Sequence, residues 1–359
     1  MIDVKIALPE KCYSITIESG LVNRLPDLLL EAYSGKKLAL VTDTRVYQLY
    51  GRDFAESLKS RGLQVVPVIF EEGEQNKNFA SLEQIYATLA EHAFTRSDTI
   101  LAFGGGVTGD MAGLAAATFL RGLGFIQIPT TLLAMVDSSI GGKVAVDLPQ
   151  GKNLVGAFYQ PDHVYADPLL LKTLDDRRFS DGLAELLKHG FIRDAGLIDD
   201  INRLGSRSGL EPHMDELIRK SCEIKGDIVC QDERDNGIRQ LLNFGHTVGH
   251  AIEKVQHYSG FSHGEAISAG MVLITRITEG LGITMKGTAE RIRETLHKFN
   301  LPVDMPEVAV PELIEAMRVD KKLRSGKITI ACLERIGKAV LRTLNLEELE
   351  GMIIGTLNH

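Results

Sequence analysis

The chain has 359 residues, of which 44% are hydrophobic and 25% are charged. This length is enough for about two domains, each with its own core, and the apolar fraction is too high for a disordered or fibrous chain. Lys and Arg number 40 against 48 Asp and Glu, which gives a net charge of −8. This balance argues against a general nucleic-acid binder but is compatible with a local basic pocket for a small anion.

The first half of the chain alternates predicted strands and helices. Short apolar runs predict strands at residues 4–8, 14–17, 37–42, 64–70, 99–103 and 125–128. The segments between them predict helices at residues 21–32, 45–61, 79–92 and 111–120. Such alternation is typical of a parallel sheet that is covered on both faces.

The second half has a different pattern. From residue 179 onward the apolar residues recur at helical spacing, and only residues 327–332 and 339–343 look extended. We therefore predict an α/β domain of the nucleotide-binding type over residues 1–175 and a mostly α-helical domain over residues 176–359.

The cysteines and the amino terminus bear on the cellular compartment. Cys12, Cys222, Cys230 and Cys332 show no paired spacing, which favours a reduced, cytoplasmic chain over a disulfide scaffold. Residues 1–11 lack the apolar stretch of a signal peptide, and no run approaches the roughly 18 apolar residues of a membrane span. We expect a cytoplasmic protein that binds neither membranes nor nucleic acid.

A glycine-rich motif joins the predicted strand at 99–103 to the next helix. Residues 104–110, GGGVTGD, match G-x-G-x-x-G, a pattern whose glycines let the backbone approach a pyrophosphate at a helix N-terminus. The alternative is a turn whose glycines only permit close packing of helix on strand. The motif does not follow the first strand, and no acidic residue ends a strand about 20 residues later. Asp43 or Glu74 is therefore the candidate partner of a ribose, the alternative for each being a solvated loop carboxylate.

The helical half carries a constellation of histidines and glutamates. His246 and His250 lie at i and i+4 on one helix face, Glu253 follows, and His263 and Glu185 lie on other predicted helices. Such side chains can bind a divalent metal and leave an open coordination position. The spacing fits either His246 or His250 as a ligand, and the absence of HExxH disfavours a zincin protease. The alternative is that one or two of the histidines are core residues and the glutamates are solvated.

Cationic residues beside glycine or asparagine, or within the helical half, form a third feature. They are Arg121, Lys143, Lys152, Lys225, Arg239, Lys321 and Lys322. In a chain of net charge −8, their burial together would call for an anionic substrate with phosphate and carboxylate groups. The alternative for each residue is an ordinary surface charge.

Six segments, in order along the chain, resemble the 3-dehydroquinate synthase family of the shikimate pathway. They are GGGVTGDMAG, RGLGFIQIPTTLLAMVDSSIGGKVAVD, GKNLVGAFYQP, GLAELLKHG, LLNFGHTVGHAIE and SHGEA. The resemblance covers nearly the whole chain and is far more specific than the glycine motif alone. It implies an N-terminal Rossmann-like NAD-binding α/β domain, a C-terminal, mostly α-helical domain that binds Zn²⁺ or Co²⁺, and a homodimer.

The resemblance also implies roles for individual residues. The implied metal ligands are Glu185, His246 and His263, and His250 then lies on the side of the substrate phosphate. The implied NAD site consists of Asp43, Glu72, Gly73, Glu74, Lys77, Gly105, Gly106, Val107, Gly109, Asp110, Thr130, Thr131, Lys143, Lys152, Leu170 and Thr173. The implied substrate contacts and catalytic residues are Asp137, Lys143, Asn153, Lys188, Lys225, Arg239, Asn243, His250 and, in preference to Lys322, Lys321. Arg121 matches an arginine that reaches the active site of the neighbouring subunit.

The activity implied by the resemblance is the conversion of 3-deoxy-D-arabino-heptulosonate 7-phosphate to 3-dehydroquinate and phosphate. It proceeds by NAD-mediated transient oxidation, β-elimination of phosphate, re-reduction and intramolecular aldol closure, so that no net redox change occurs. The first alternative is a sister sugar-phosphate cyclase whose substrate has no carboxylate for Arg239. The others are a metal-dependent alcohol or glycerol dehydrogenase, which performs net redox chemistry, and a non-catalytic protein that keeps the fold.

Overall fold

The computed structural model describes residues 1–320 and 326–357. The chain divides into two compact units, Met1–Asp175 and Asp176–His359. Across the described part of the chain, no helix combines the length and apolarity that crossing a membrane would require.

The amino-terminal unit contains nine strands, of which seven form one sheet. Its nine strands are β1 Ile2–Ala7, β2 Cys12–Ile17, β3 Lys37–Asp43, β4 Gln64–Phe70, β5 Thr99–Gly104, β6 Gly124–Pro129, β7 Lys143–Leu148, β8 Gly151–Phe158 and β9 His163–Ala166. The order in the sheet is β1-β2-β9-β6-β5-β3-β4. All neighbouring pairs are parallel except β1 with β2, and β7 and β8 form a separate antiparallel hairpin.

The central strands are buried, as their uninterrupted apolar sequences predict. Residues 38–41 of β3 and 100–101 of β5 have no exposed surface. Because β3, β4, β5 and β6 are parallel neighbours, their carboxyl ends lie at one edge of the sheet. In open parallel sheets this is the edge where ligands bind.

Helices cover the strands of this unit. They are α1 Leu21–Tyr33, α2 Thr44–Val46, which continues through a π-helical turn at Tyr47–Gly51 into α3 Arg52–Ser60, α4 Phe79–Glu91 and α5 Gly106–Thr118. Helix α5 begins five residues before the predicted start at residue 111, because the glycine motif itself is helical from Gly106. The hairpin β7–β8 and strand β9 were not predicted.

The carboxyl-terminal unit is mostly helical. Its helices are α6 Asp176–Arg193, α7 Ala195–Leu204, α8 Arg207–Leu210, α9 Met214–Gln231, α10 His246–Val255, α11 His263–Gly280, α12 Thr288–Lys298, α13 Val310–Asp320 and α14 Leu346–Leu357. The two predicted extended segments form one antiparallel hairpin, β10 Lys327–Arg335 with β11 Lys338–Asn345. The predicted fold class, an α/β unit with a parallel sheet followed by a mostly α-helical unit, is confirmed.

Candidate cofactor and metal sites

In the amino-terminal unit, the glycine motif lies where a buried strand meets a helix. β5 ends at Gly104, Gly105 precedes α5, and α5 begins at Gly106. The first N–H groups of a helix have no intrahelical acceptor and carry the positive end of the helix dipole. The turn therefore has the geometry that binds an anionic group such as a pyrophosphate.

Two glycines of the motif are closely packed. A Cβ atom at Gly104 would lie 2.3 Å from Thr108 Oγ1 and 2.6 Å from Thr108 Cβ, and one at Gly109 would lie 2.7 Å from Gln127 Oε1, the end of a flexible side chain. The packing interpretation therefore accounts for Gly104 and only partly for Gly109. Anion binding depends instead on backbone N–H groups, so the two interpretations of the motif are compatible.

Asp43 ends β3 beside this turn. Its Oδ1 accepts a hydrogen bond from Val46 N at 2.8 Å, and it also bonds the Thr108 side chain in the first turn of α5. Burial raises the pKa of Asp43, against the opposing effect of these hydrogen bonds. Asp43 and the glycine motif thus meet at the carboxyl edge of the sheet, whereas Glu74 lies in a 3₁₀ turn beyond β4.

A pocket of about 380 Å³ lies at the end of β3. It is lined by Thr44, Arg45, Gln48, Leu49, Glu72 and Thr173. Tyr50 connects the wall to the segment after β9, since its hydroxyl lies 2.6 Å from Thr173 Oγ1 and donates to Leu170 O at 3.2 Å. Three of the predicted cofactor residues, Glu72, Leu170 and Thr173, are therefore at or beside this pocket.

A buried ion pair connects the loop after β4 with α5. Lys77 is only 4% exposed; its Nζ lies 2.5 Å from Asp110 Oδ2 and donates to Asn153 Oδ1. Burial raises the pKa of Asp110 to about 6, although Lys77 opposes this. Burial lowers the pKa of Lys77, but the charges of Asp110 and Glu74 outweigh it and raise that pKa. Lys152 Nζ lies 3.4 Å from Glu74 Oε1. Residues predicted to bind the cofactor therefore lie beside Asn153, which is predicted to bind the substrate.

Other predicted residues surround the start of α5. Thr130 N donates to Gly104 O at 2.9 Å, and Thr131 follows it at the end of β6. Val107 lies in the first turn of α5. Asp137 lies in a π-helical turn at Ala134–Ser138, which is in contact with α5. The carboxyl edge of the sheet therefore brings these candidates together.

Three further predicted residues are exposed, and two of them have a positive φ angle. Arg121 is exposed beyond the carboxyl end of α5, with a positive φ of 68°. Lys143 is exposed at the start of β7. Gly73, with φ 112°, precedes the 3₁₀ turn that carries Glu74. The structure therefore places Arg121 at the end of α5 opposite the glycine motif.

In the carboxyl-terminal unit, three side chains from three helices converge. Glu185 lies within α6, His246 is the first residue of α10, and His263 is the first residue of α11. The Nε2 atoms of His246 and His263 each lie 3.2 Å from Glu185 Oε1. Glu185 is fully buried and also pairs with Lys188 one turn along α6.

Each of these imidazoles faces an oxygen at both ring nitrogens. His246 Nδ1 lies 3.3 Å from Phe244 O, and His263 Nδ1 lies 3.5 Å from Glu253 Oε2. A neutral imidazole has a single N–H and can donate to only one of its two oxygens. With hydrogen on Nδ1, both Nε2 lone pairs and Glu185 Oε1 point to one place, as in metal centres whose histidines donate their second N–H outward. The residues present fit a divalent ion with open coordination positions.

The pKa values of the three side chains are shifted in different directions. Burial would raise the pKa of Glu185, but Lys188 and His246 lower it well below its usual range. Burial and the charge of Lys188 lower the pKa of His246 to about 4. Burial also disfavours the charged form of His263, but hydrogen bonds with Glu185 and Glu253 raise its pKa to about 10. Without a metal, one proton is therefore held on His263.

His250 and Glu253 border this cluster. The ring centroid of His250 lies 5.2 Å from that of His246 and 6.1 Å from that of His263. One ligand atom each of His250, Glu253 and His263 lie within 4.8 Å of one another. The sequence analysis included Glu253 among the possible metal ligands, whereas the family resemblance gave it no role. The available signal was its position seven residues after His246, two turns along the same face of α10.

Further predicted cations of this unit are buried. Lys188, Lys225 and Arg239 are 1%, 5% and 3% exposed, respectively. Arg239 Nη1 donates to the carbonyl of Glu233 at 2.6 Å, and Asn243 ends the 3₁₀ segment that Arg239 shares. Lys321 lies outside the described residues. The burial of Lys188, Lys225 and Arg239 excludes the interpretation of these three residues as ordinary surface charges.

The fold and its two sites define a class of protein. A parallel sheet with a glycine-rich strand–helix turn and a helical unit with a His–His–Glu cluster indicate a nucleotide-binding, metal-dependent enzyme. Residues 67–181 match the family model "3-dehydroquinate synthase N-terminal", and residues 182–323 match "3-dehydroquinate synthase C-terminal". The chain belongs to the 3-dehydroquinate synthase family.

Relatives and solved structures agree with this membership. The 3-dehydroquinate synthase of Clostridium acetobutylicum is 44% identical over 345 residues, which cover 96% of this chain and 97% of that protein. ValA, a 2-epi-5-epi-valiolone synthase from Streptomyces hygroscopicus with NAD⁺ and Zn²⁺ bound, has a TM-score of 0.88 at 27% identity, covering 98% of each chain. A 2-deoxy-scyllo-inosose synthase complexed with carbaglucose-6-phosphate, NAD⁺ and Co²⁺ shares the fold, with a TM-score of 0.88 at 24% identity, covering 98% of this chain and 99% of the other.

Proposed function

We propose that this chain converts 3-deoxy-D-arabino-heptulosonate 7-phosphate to 3-dehydroquinate and phosphate, as a carbon–oxygen lyase of the shikimate pathway. The observation that carries the proposal is the family membership: 44% identity to a 3-dehydroquinate synthase extends over 96% of the chain. The order of events is transient oxidation, β-elimination of phosphate, re-reduction and aldol closure. The cofactor is thereby regenerated in every turnover.

The amino-terminal unit, residues 1–175, is the proposed NAD-binding domain. The first turn of α5 would hold the pyrophosphate through its N–H groups, and Asp43 would accept hydrogen bonds from a ribose. The pocket beside Glu72 and Thr173 has room for an attached ring. Lys77 and Asp110 would fix the loop after β4 against α5, because their ion pair is buried.

The carboxyl-terminal unit, residues 176–359, is the proposed metal- and substrate-binding domain. Glu185, His246 and His263 would hold Zn²⁺ or Co²⁺, since the two metals accept the same nitrogen and oxygen ligands. When bound, NAD supplies a reversible hydride acceptor and the divalent ion polarises the substrate hydroxyl groups.

Charged side chains would bind the substrate and move its protons. Lys188 keeps an ammonium group beside Glu185, where it can orient a hydroxyl and hold a proton, and Asp137 has the matching role in the other unit. We assign the phosphate to Lys143, Asn153 and His250. The planar guanidinium of Arg239 matches a carboxylate in a bidentate pair. We also assign substrate contacts to Lys225, Asn243, Lys152 and Lys321.

We further propose a cytoplasmic homodimer in which Arg121 serves the active site of the partner. Three neighbouring residues support this role: Leu120, Arg121 and Gly122 all have positive φ angles, and Leu120 is 40% exposed. The backbone thus presents a cation and an apolar side chain outward. The four cysteines are free thiols, which agrees with a reducing compartment.

A sister cyclase is the second candidate, because two solved sugar-phosphate cyclases share the fold at a TM-score of 0.88. The substrates of such enzymes carry no carboxylate, so Arg239 would bind no substrate carboxylate there. The 44% identity to a 3-dehydroquinate synthase, against 24% and 27% to the two cyclases, favours the carboxylate-bearing substrate.

The experiment follows phosphate release and NADH absorbance together, with purified protein, heptulosonate 7-phosphate, NAD and Zn²⁺. We expect many equivalents of phosphate per enzyme, no NADH accumulation, and loss of activity on chelation. Phosphate release only from a seven-carbon sugar phosphate without the carboxylate would move the chain to the sister cyclases. Steady NADH growth on simple polyols would instead identify a dehydrogenase.

A further inference from the structure

Helix α6 contacts the start of α11 at successive turns. Arg177, Asp181 and Glu185 lie at intervals of four residues, and hence on one face of α6. Arg177 donates to Glu265 at 3.0 and 2.7 Å. Glu185 meets His263 as described. Between them, Asp181 contacts the main chain and a side chain at the start of α11.

The contacts of Asp181 flank His263. Asp181 Oδ1 accepts a hydrogen bond from Ser262 Oγ at 2.5 Å and one from Gly264 N at 2.9 Å. One carboxylate oxygen therefore binds the residues immediately before and after His263. Hydrogen bonds to an ionised acceptor are stronger than those between neutral groups.

The close approach of the two helices depends on Gly264. A Cβ atom at this position would lie 2.4 Å from Asp181 Cα and 2.8 Å from Asp181 O. The backbone of α11 therefore rests directly against that of α6 beside His263. A side chain at residue 264 would force the helices apart.

Helix α11 has its own amino-terminal cap. Ser262 and Glu265 form a capping box, in which Ser262 N donates to Glu265 Oε2 at 2.7 Å. This capping box accounts for the N–H groups of Ser262 and Glu265, and the N–H of Gly264 between them donates to Asp181. What Asp181 adds is the attachment of this helix start to α6, four residues before Glu185.

We propose that Asp181 is a positioning residue of the metal centre. Its carboxylate fixes the main chain around His263, so that His263 Nε2 meets the oxygen of Glu185. This inference rests on the proposed metal centre of Glu185, His246 and His263. Loss of groups that orient metal ligands typically weakens metal binding by about 10- to 100-fold.

The test is a competition titration of Zn²⁺ against a chelating indicator, with the full chain first freed of metal. Asp181→Ala should weaken zinc binding by about 10- to 100-fold. Ser262→Ala, which removes one of the two hydrogen bonds to Asp181 together with the serine cap of α11, should give a smaller loss. Asp181→Asn should restore part of the affinity, because its amide oxygen still accepts from Gly264 N.

Asp176→Ala is the matched control. Asp176 also lies on α6 and carries the same charge, but its side chain is 92% exposed and pairs with Arg207 at 2.7 Å. The Asp176→Ala variant should bind zinc with the same affinity as the unmodified chain. Denaturant unfolding of each metal-free variant separates loss of the fold from loss of the site.

Glu185→Ala separates this inference from the proposed metal centre. If Glu185→Ala loses zinc while Asp181→Ala binds as tightly as Asp176→Ala, Asp181 has no positioning role. If Glu185→Ala retains full zinc affinity, the metal centre itself is misassigned. Should Asp181→Ala fail to fold, unchanged affinity in a folded Ser262→Ala overturns the positioning role. A reduced affinity in a Ser262→Ala variant that is as stable as Asp176→Ala without metal supports it.

Discussion

At the residue scale, Lys77 and Asp110 depend on each other because both lie in a region of little solvent. Removing one partner of a buried pair leaves an uncompensated charge, which costs about 3–5 kcal/mol. We therefore expect Lys77→Met to lower the free energy of unfolding by about that amount at pH 8, measured by urea denaturation.

The loss in Lys77→Met should shrink as the pH falls. Burial already raises the pKa of Asp110 to about 6, and removal of the cation raises it further. Because the folded variant then binds a proton more readily than the unfolded chain, its stability increases as pH drops through this folded pKa. Lys152→Met is the control, since its pair with Glu74 is partly exposed and should contribute about 1 kcal/mol or less. Equal losses in both variants would contradict the argument.

The raised pKa of His263 predicts proton release when zinc binds. With a pKa of about 10 in the metal-free protein, the ring carries a proton at pH 7–8. A metal ligand must be deprotonated, so we expect about one proton released per zinc bound and an affinity that rises with pH up to about 10. Calorimetric titration in buffers of different ionisation enthalpy measures the release. An enthalpy that does not vary with the buffer would refute this assignment.

At the scale of elements, α5 packs closely against β6 and β7 because residue 113 is a glycine and has no side chain. A Cβ atom at Gly113 would lie 2.4 Å from Val144 Cγ1 and 3.0 Å from the ring of Phe125. Overpacking costs about 1–3 kcal/mol, and the higher helix propensity of Ala returns roughly 1 kcal/mol. We expect Gly113→Ala to lower stability and to weaken NAD binding, because α5 carries the glycine motif; thermal unfolding and NAD titration measure the two effects.

Gly280→Ala provides the comparison for this packing effect. Gly280 ends α11, and a Cβ atom there would meet nothing within 4 Å. The same substitution should therefore leave stability unchanged or raise it. If Gly113→Ala is as stable as Gly280→Ala, the contact between α5 and β7 has more room than the structure indicates.

The elements that were predictable from sequence are those with a single strong signal. β4 was predicted with its observed bounds, and β3 and β5 differ by one residue at the carboxyl end, because each is an apolar run bounded by polar residues or glycine. The hairpin β7–β8 was missed, since β8 is half exposed and begins with Gly-Lys-Asn, a typical turn sequence. The start of α5 was missed because glycine has low helix propensity, and here packing overrides it.

The site was less accessible to sequence reasoning than the fold. Spacing placed His246 and His250 on one helix face but favoured neither as a ligand. Only the family resemblance distinguished them. The contacts of Asp181 and Glu253 with the start of α11 join residues on different helices or across a loop, and no local pattern records such pairings.

At the scale of the whole molecule, the strands and helices predicted from periodicity form the general fold, whereas the chemistry depends on side chains that meet only in the folded chain. The parallel sheet and the helical unit are shared with the solved sugar-phosphate cyclases, whatever their substrates. Specificity must therefore depend on side chains rather than on the architecture, and under the proposed function Arg239 is one of them.

The pair of Glu185 and Lys188 has a consequence for how the proposed metal would behave. The carboxylate that ligates the ion is already compensated by a buried ammonium group, and the two histidines are neutral ligands. A bound divalent ion would thus keep nearly its full charge and act as a strong Lewis acid. The chain as a whole is negative, so it repels an anionic substrate at long range, whereas this centre and the cations assigned to the substrate would attract it at short range. Moderate salt screens interactions between exposed charges beyond about 8 Å. It would therefore weaken the long-range repulsion more than the short-range attraction, and so favour binding of the substrate.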